Sequence, residues 1–399
     1  MATRKAMKKV STAGARRRAA APSRARVGPG AKPRRTSRDA ALAALLNVAD
    51  AEAAARRAMP RAFFDYYAGG AEDERTLARN RSAMDRWVLL HRVLVDVSRV
   101  DLATTVLDAA VSMPVFLAPA AFHRLAHAGG EVATARAAGA AGTLFAASTI
   151  ASTPLEEIAL AASGPLWFQL YVYKERSIAQ DIAARAEKAG YQALILTVDT
   201  PMLGRRERDF RNGFRLPPTV KMANFTKYGD QFERWNFPGG MAARVHELMD
   251  HSLTWEAVSW LRSVTRLPVV LKGIVRPDDA RRAVDAGVRA IIVSNHGGRQ
   301  LDGGEATILA LPDVVDAVQG RAEIYVDGGF RRGSEILKAL ALGARGVFVG
   351  RPYLWGLAAG GEEGVKRVLD ILRDELSLSM ALAGCARLSD IDRSLVRPA

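Results

Sequence analysis

The 399-residue chain carries 57 Lys and Arg against 42 Asp and Glu, a formal net charge of +15, and 49% of its residues are apolar. That composition excludes wholesale disorder and a fibrous architecture, and the single cysteine, Cys385, excludes an intrachain disulfide framework and a cysteine-rich zinc site. The basic excess is local: residues 1–38 hold 13 Lys and Arg and no acid, leaving 44 bases against 42 acids in the remainder, so any polyanion-binding argument from charge rests on this segment alone.

Residues 1–38 are rich in Arg, Lys, Ala, Ser and Pro, with almost no large apolar side chain. Burial cannot offset the entropy of ordering them, and a disordered basic tail is expected. Such a tail suits an anionic surface, although an acid-free start containing Arg and Ser also resembles an organellar transit peptide. From Asp39 the composition turns Ala- and Leu-rich. Asp39 is a candidate N-cap, and Leu42, Leu45, Leu46 and Ala49 share a helical spacing, so the folded domain is expected over 39–399. A second helix is predicted at 60–67.

Eight short apolar runs follow, at 115–121, 144–148, 167–171, 193–199, 269–274, 290–296, 324–329 and 347–351. Amphipathic stretches separate most of them, at 131–141, 175–189, 277–286, 311–318, 333–342 and 361–382. Repeated βα units of this kind predict an α/β fold, a closed (βα)8 TIM barrel, with an open doubly wound sheet as the alternative. The segment 201–252, between the fourth and fifth runs, is rich in Pro, Gly and aromatics. A loop of that length after a strand's C-terminal end is expected to be an active-site lid. No apolar stretch approaches the roughly 20 residues of a membrane-spanning helix and no secretory signal is evident, so the sequence reads as a soluble, cytoplasmic protein. The terminal Arg-Pro-Ala is not a peroxisomal address.

Polar residues end the apolar runs: Ser148, Gln169 with Tyr171, Thr197 with Asp199, Lys272, His296 with Arg299, and Asp327. A barrel gathers all of them around one mouth, where barrel enzymes place their chemistry. His296 precedes two glycines, and Arg299 three residues on offers a planar fork for a carboxylate beside a candidate base. Gly328 and Gly329 with Arg331, and Gly350 with Arg351, occupy matching positions after the last two runs, where barrels commonly bind a phosphate, so a phosphorylated cofactor is expected. The six histidines contain no His-Glu-X-X-His arrangement, only His123 and His127 share a helical spacing, and no metal site is expected.

The segment SNHGGRQ at 294–300 resembles the active-site signature of the FMN-dependent 2-hydroxy-acid oxidases and dehydrogenases, of the glycolate oxidase and lactate oxidase type. The resemblance runs from about Asp39 to Val396, through FDYYAGGAED at 64–73, FQLY at 168–171, LTVDTP at 196–201 and VDGG at 326–329. It implies FMN at the barrel mouth and oxidation of an L-2-hydroxy acid to the 2-oxo acid. It implies that His296 is the base, oriented by Asp199, and that Tyr66 and Arg299 clamp the substrate carboxylate, with Tyr171 at the substrate oxygen and Arg206 in the same pocket. Ala120, Ala121, Ser148, Gln169, Thr197, Lys272 and Ser294 would bind the flavin ring and its surroundings, Asp327 the ribityl chain, and Gly328, Gly329, Arg331, Gly350 and Arg351 the phosphate.

Two departures bear on the substrate. Ile150 stands where glycolate oxidase has a tryptophan, and Phe122 replaces a thinner side chain, so lactate, longer aliphatic and mandelate-like acids are all compatible. Oxygen is the expected acceptor, giving hydrogen peroxide; a dehydrogenase passing electrons to a quinone or cytochrome is the alternative. Family members are often tetramers, and the resemblance implies a homotetramer.

Overall fold

The computed structural model describes residues 37–228 and 247–399. All but the last two residues of the predicted basic tail, and the middle of the predicted lid, lie outside them. Eight parallel strands close into a barrel in chain order: β1 (Val115–Leu117), β2 (Phe145–Ser148), β3 (Leu166–Leu170), β4 (Leu194–Thr197), β5 (Val269–Ile274), β6 (Ala290–Val293), β7 (Glu323–Val326) and β8 (Gly346–Val349). Closure is made by β8 against β1, with Val347 beside Val115 and Val349 beside Leu117. All eight predicted strands are present, which excludes the open doubly wound sheet. Six of the eight predicted runs overrun their strands at the C-terminal end, because the chain leaves the ladder near where the polar residues begin. His296, Gly328 and Gly329 lie at φ of 58°, 99° and 90°, outside any strand conformation.

The predicted start of the fold needs correction. α1 (Ser37–Ala43) already contains Asp39, which is therefore not its N-cap, and the spacing from Leu42 to Ala49 does not form one helix. Asn47 interrupts it: its side chain accepts the Asp50 N–H and caps α2 (Val48–Ala58). α3 (Arg61–Ala68) follows Pro60, and α4 (Arg75–Ser82) lies over the mouth of the barrel. α5 (Gly130–Ala140) connects β1 to β2. The last helix, Arg351–Ala383, starts directly after β8, ten residues before the predicted position, and contains a kink at Gly360 and Gly361.

At the far end of the chain, Val396–Pro398 pairs antiparallel with Trp87–Leu89. Most of the apolar core lies between the barrel and its helices. A second cluster fills the barrel interior, where Phe116, Trp167, Tyr325 and Phe348 meet largely edge to face at 5.3–6.0 Å. Among the described residues no helix is long and apolar enough to cross a membrane.

Candidate active site

The site grows out of the strand period. Successive strand side chains alternate between the barrel interior and the helix layer. One interior layer is Phe116, Ala146, Trp167, Ile195, Val270, Ile292, Tyr325 and Phe348, one residue from each strand. Two residues further along every strand, on the same face, come Ala118, Ser148, Gln169, Thr197, Lys272, Ser294, Asp327 and Gly350. The first layer is apolar and closes the barrel; the second is mostly polar and floors a cleft of about 1200 Å³, its open mouth included. Seven of these eight residues line the cleft; Ser294 does not. Its hydroxyl instead accepts from the Lys272 ammonium at 2.8 Å and from the His296 N–H at 3.1 Å, so it bears on the cleft through those two residues.

His296 follows β6 on a left-handed turn continued by Gly297 and Gly298, at φ of 64° and 75°. A Cβ at Gly298 would stand 2.5 Å from the Leu77 nitrogen, so the turn is pressed against α4. The imidazole is 19% exposed, and its Nδ1 lies 2.9 Å from Asp199 Oδ1. A carboxylate there holds the proton on Nδ1 and leaves Nε2 as the basic nitrogen. Burial lowers the His296 pKa below the usual histidine value, against the pull of Asp199. Asp199 is held below the usual carboxylate value: burial opposes this, but the charge and hydrogen bond of His296, with Lys272 and Thr200, outweigh it.

Asp199 does not itself line the cleft; it stands behind His296. Its position depends on a bulge in β5, where the register slips between Lys272 and Ile274 around Gly273. Gly273 has φ 115°, and a Cβ there would lie 2.6 Å from Asp199 Cβ. Gly273→Ala should therefore push Asp199 off His296 and cost about 1 to 3 kcal/mol in strain. Chemical denaturation and the pH profile of turnover check this; wild-type values in both would mean that Asp199 has room to move aside.

Lys272 is 4% exposed and lies 3.2 Å from Asp327 Oδ2. Burial opposes its charge, yet Asp327 and Asp199 raise its pKa above the usual lysine value. Gln169 donates to the Thr197 hydroxyl at 3.0 Å and accepts from Ser148 at 3.3 Å, linking three strands. Tyr171 lines the same cleft, its phenol pushed up to about 12 by burial and by Asp199, so it is a hydrogen-bond donor at neutral pH.

The arginines are partly buried at the mouth. Arg299 stacks over the Tyr66 ring at 5.2 Å and gives one Nη1 to the carbonyls of Tyr66 and Gly69. Arg351 spends Nε, Nη1 and Nη2 on the carbonyls of Tyr67, Gly297 and Gly69. The carbonyls at the C-terminal end of α3 thus draw both arginines. Burial and the neighbouring Arg206 pull Arg299 down to about 10, and burial with Arg81 does the same to Arg331. Arg206 also lines the cleft, and its Nε is buried without a hydrogen-bond partner. So much positive charge in low dielectric favours an anionic occupant. Among the described residues, no group of three or more His, Cys, Asp or Glu is placed to hold a metal ion.

The remaining expected residues, Tyr66, Ala120, Ala121, Gly328 and Gly329, line the same cleft. Ile150 and Phe122 line it too, as the two departures require. Several supporting residues carried no signal in the sequence. Phe214 stacks on Tyr66 with ring centroids 4.6 Å apart and 6° between planes, and Met249 and Leu203 complete the wall. In the segment expected to be a lid, Glu207–Arg211 is helical, and Arg208 pairs with Asp65 and Glu74, anchoring this part to α3. Asn80 and Asn295 exchange amide hydrogen bonds at 2.9 and 2.8 Å, and Asn295, inside the 294–300 signature, was the one such residue within reach of sequence reasoning.

A family model described as FMN-dependent dehydrogenase matches residues 55–398. Glycolate oxidase of Spinacia oleracea is 49% identical over 351 residues, covering 88% of this chain and 95% of the relative. 2-Hydroxyacid oxidase 1 of Homo sapiens is 49% identical over 357 residues, covering 88% and 96%. The fold also matches a crystal structure of mandelate oxidase with (S)-4-hydroxymandelic acid, with a TM-score of 0.85 and 44% identity over 89% of this chain and 99% of that one.

Proposed function

Because the chain belongs to the FMN-dependent dehydrogenase family, we propose that it oxidises an L-2-hydroxy acid to the 2-oxo acid and uses oxygen as acceptor, releasing hydrogen peroxide. The observation that carries this reading is the Asp199-oriented His296 lining one cleft together with the partly buried Arg206 and Arg299. A base and a carboxylate clamp side by side are what proton removal from a 2-hydroxy acid requires.

The residues present fit FMN. Asp327 Oδ1 is buried without a partner and would accept from a ribityl hydroxyl. A Cβ at Gly350 would meet nothing nearer than Ala118 Cβ at 3.9 Å, so its face is open at the start of the helix Arg351–Ala383, where backbone N–H groups favour a phosphate. Arg331 and Arg351 add charge there. Ser148, Gln169, Thr197 and Lys272 would take the polar edge of the ring, with the backbone of Ala120 and Ala121 beside it. FMN, when bound, supplies the two-electron acceptor that no side chain can provide.

The rest of the reading assigns roles to the chain's own groups. Arg299 and the Tyr66 hydroxyl hold the substrate carboxylate, and Tyr171 donates to the substrate oxygen. Arg206, in the segment read as a lid, offers its unpaired Nε to the same anion. His296 takes up the proton, and Asp199 stabilises the imidazolium so formed. A homotetramer and contact of the basic tail with anionic surfaces belong to the same reading; sedimentation and salt-dependent retention on a polyanion measure them.

The test is anaerobic mixing of the flavin-loaded protein with glycolate, L-lactate and L-mandelate, followed by air. The flavin absorbance should bleach with at least one of them and return quickly with peroxide. Bleaching with slow return would favour the quinone- or cytochrome-linked dehydrogenase, and no bleaching with any hydroxy acid would reject the site.

A further inference from the structure

Glu131 is a buried carboxylate for which the reaction above has no use. It stands in the first turn of α5 with no exposed surface. Its partners are four hydrogen-bond donors. Oε1 accepts the backbone N–H groups of His123 at 3.0 Å and Ser152 at 2.7 Å; Oε2 accepts the hydroxyls of Ser152 at 2.7 Å and Thr153 at 2.8 Å. His123 belongs to the loop after β1, and Ser152 and Thr153 to the loop after β2. One carboxylate thus clasps two neighbouring loops of the active-site mouth.

Between these contacts sits a strained residue. Phe122 has φ 55°, a conformation uncommon for an aromatic side chain. Its surroundings over-determine it. The Phe122 N–H donates to the Ile150 carbonyl at 3.2 Å, the Tyr67 hydroxyl donates to the Phe122 carbonyl at 2.6 Å, and the next N–H is the one that Glu131 holds. Phe122 and Ile150 both line the cleft, and the Phe122 ring lies 6.4 Å from that of Tyr66, which stacks with Arg299. The strained loop, its Phe122 ring fully buried, therefore supports the apolar wall that Ile150 presents in the cleft that also holds the groups read as the carboxylate clamp.

We propose that Glu131 is a positioning residue for substrate choice: by clasping the two loops it fixes the buried Phe122 and, through the Phe122 N–H on its carbonyl, Ile150, the partly exposed residue of the wall against which an apolar substituent on the hydroxy acid packs. The proposal rests on the reading of this cleft as a hydroxy-acid site. It makes the preferred substrates 2-hydroxy acids with an apolar aliphatic or aromatic substituent, and it places the control of that preference on a residue that touches no substrate.

The chemistry of the clasp supplies the test. In Glu131→Gln the amide carbonyl can still accept the two backbone N–H groups, and the amide nitrogen faces two hydroxyls that can turn to accept. In Glu131→Met both N–H groups lose their acceptor. Flavin-loaded wild type, both variants and Thr153→Val are compared by KM and kcat for glycolate, L-lactate, L-2-hydroxyisocaproate and L-mandelate. Glu131→Gln should keep the wild-type order of preference. Glu131→Met should raise KM for the bulkier acids about tenfold or more, with glycolate, which has no substituent, little changed. Thr153→Val, which removes one donor of four, should move the same ratio less and serves if the Met variant fails to fold. An unchanged ratio in Thr153→Val and Glu131→Met, even with lower stability or uniformly lower kcat, overturns the proposal. A wild-type protein that oxidises none of the acids overturns the reading beneath it, and the proposal with it.

Discussion

His296→Gln protein should bind flavin and substrate normally and yet reduce the flavin about a hundredfold to ten-thousandfold more slowly, the usual contribution of a positioned base. Glutamine preserves much of the volume and a donor toward Asp199 but has no basic nitrogen. The wild-type pH profile should carry the same signature. The neutral imidazole is the active form, and burial holds its pKa below the usual histidine value. Activity should therefore persist at neutral pH and fall on the acid side of that ordinary value, as His296 takes up a proton before substrate arrives. Stopped-flow reduction across pH would check both points. A variant that retains the wild-type rate with the acid limb intact would move the base to another residue.

Lys272→Met should be the most destabilising single change in the site. The ammonium is the ion-pair partner of Asp327, at 3.2 Å, where both side chains are less than one-tenth exposed. Removing one member of such a pair leaves a buried charge uncompensated and costs about 3 to 5 kcal/mol. The double variant Lys272→Met with Asp327→Asn removes both charges and should regain much of that loss. Denaturant titration of the flavin-free proteins measures the cycle. If the double variant is no more stable than the single, the cost of Lys272→Met comes from its other contacts, the Ser294 hydroxyl first among them.

The barrel was legible because largely apolar runs of five to seven residues recur between helical stretches, and a buried parallel strand needs little else. The site was legible for a related reason. Ser148, Gln169, Thr197, Lys272 and Asp327 each lie two positions beyond an apolar interior residue, so a polar residue closing an apolar run already marked the inward face at the mouth. Ser294 follows the same rule, yet its hydroxyl is taken up by Lys272 and the His296 N–H and does not line the cleft, a distinction that pattern alone does not carry. Asp39 misled because an N-cap residue type was taken without its geometry, while Asn47, which supplies that geometry, breaks the Leu periodicity. Phe214 and Glu131 were out of reach altogether: an aromatic in a long connection and an acid in a first helical turn have ordinary local roles, and only tertiary placement gives them others.

The carbonyls at the end of α3 have a consequence for how the enzyme is made. Arg351 binds the Tyr67 carbonyl across a sequence separation of 284 residues, and Arg299 binds that of Tyr66 across 233. During synthesis the tyrosine-bearing helix emerges long before either guanidinium that will fix it. Contacts this distant are closed late and slowly, so the end of α3 is fixed only after the later strands have been made, and a nascent chain halted before the eighth strand would carry Arg299 but not the Arg351 that holds the same carbonyls.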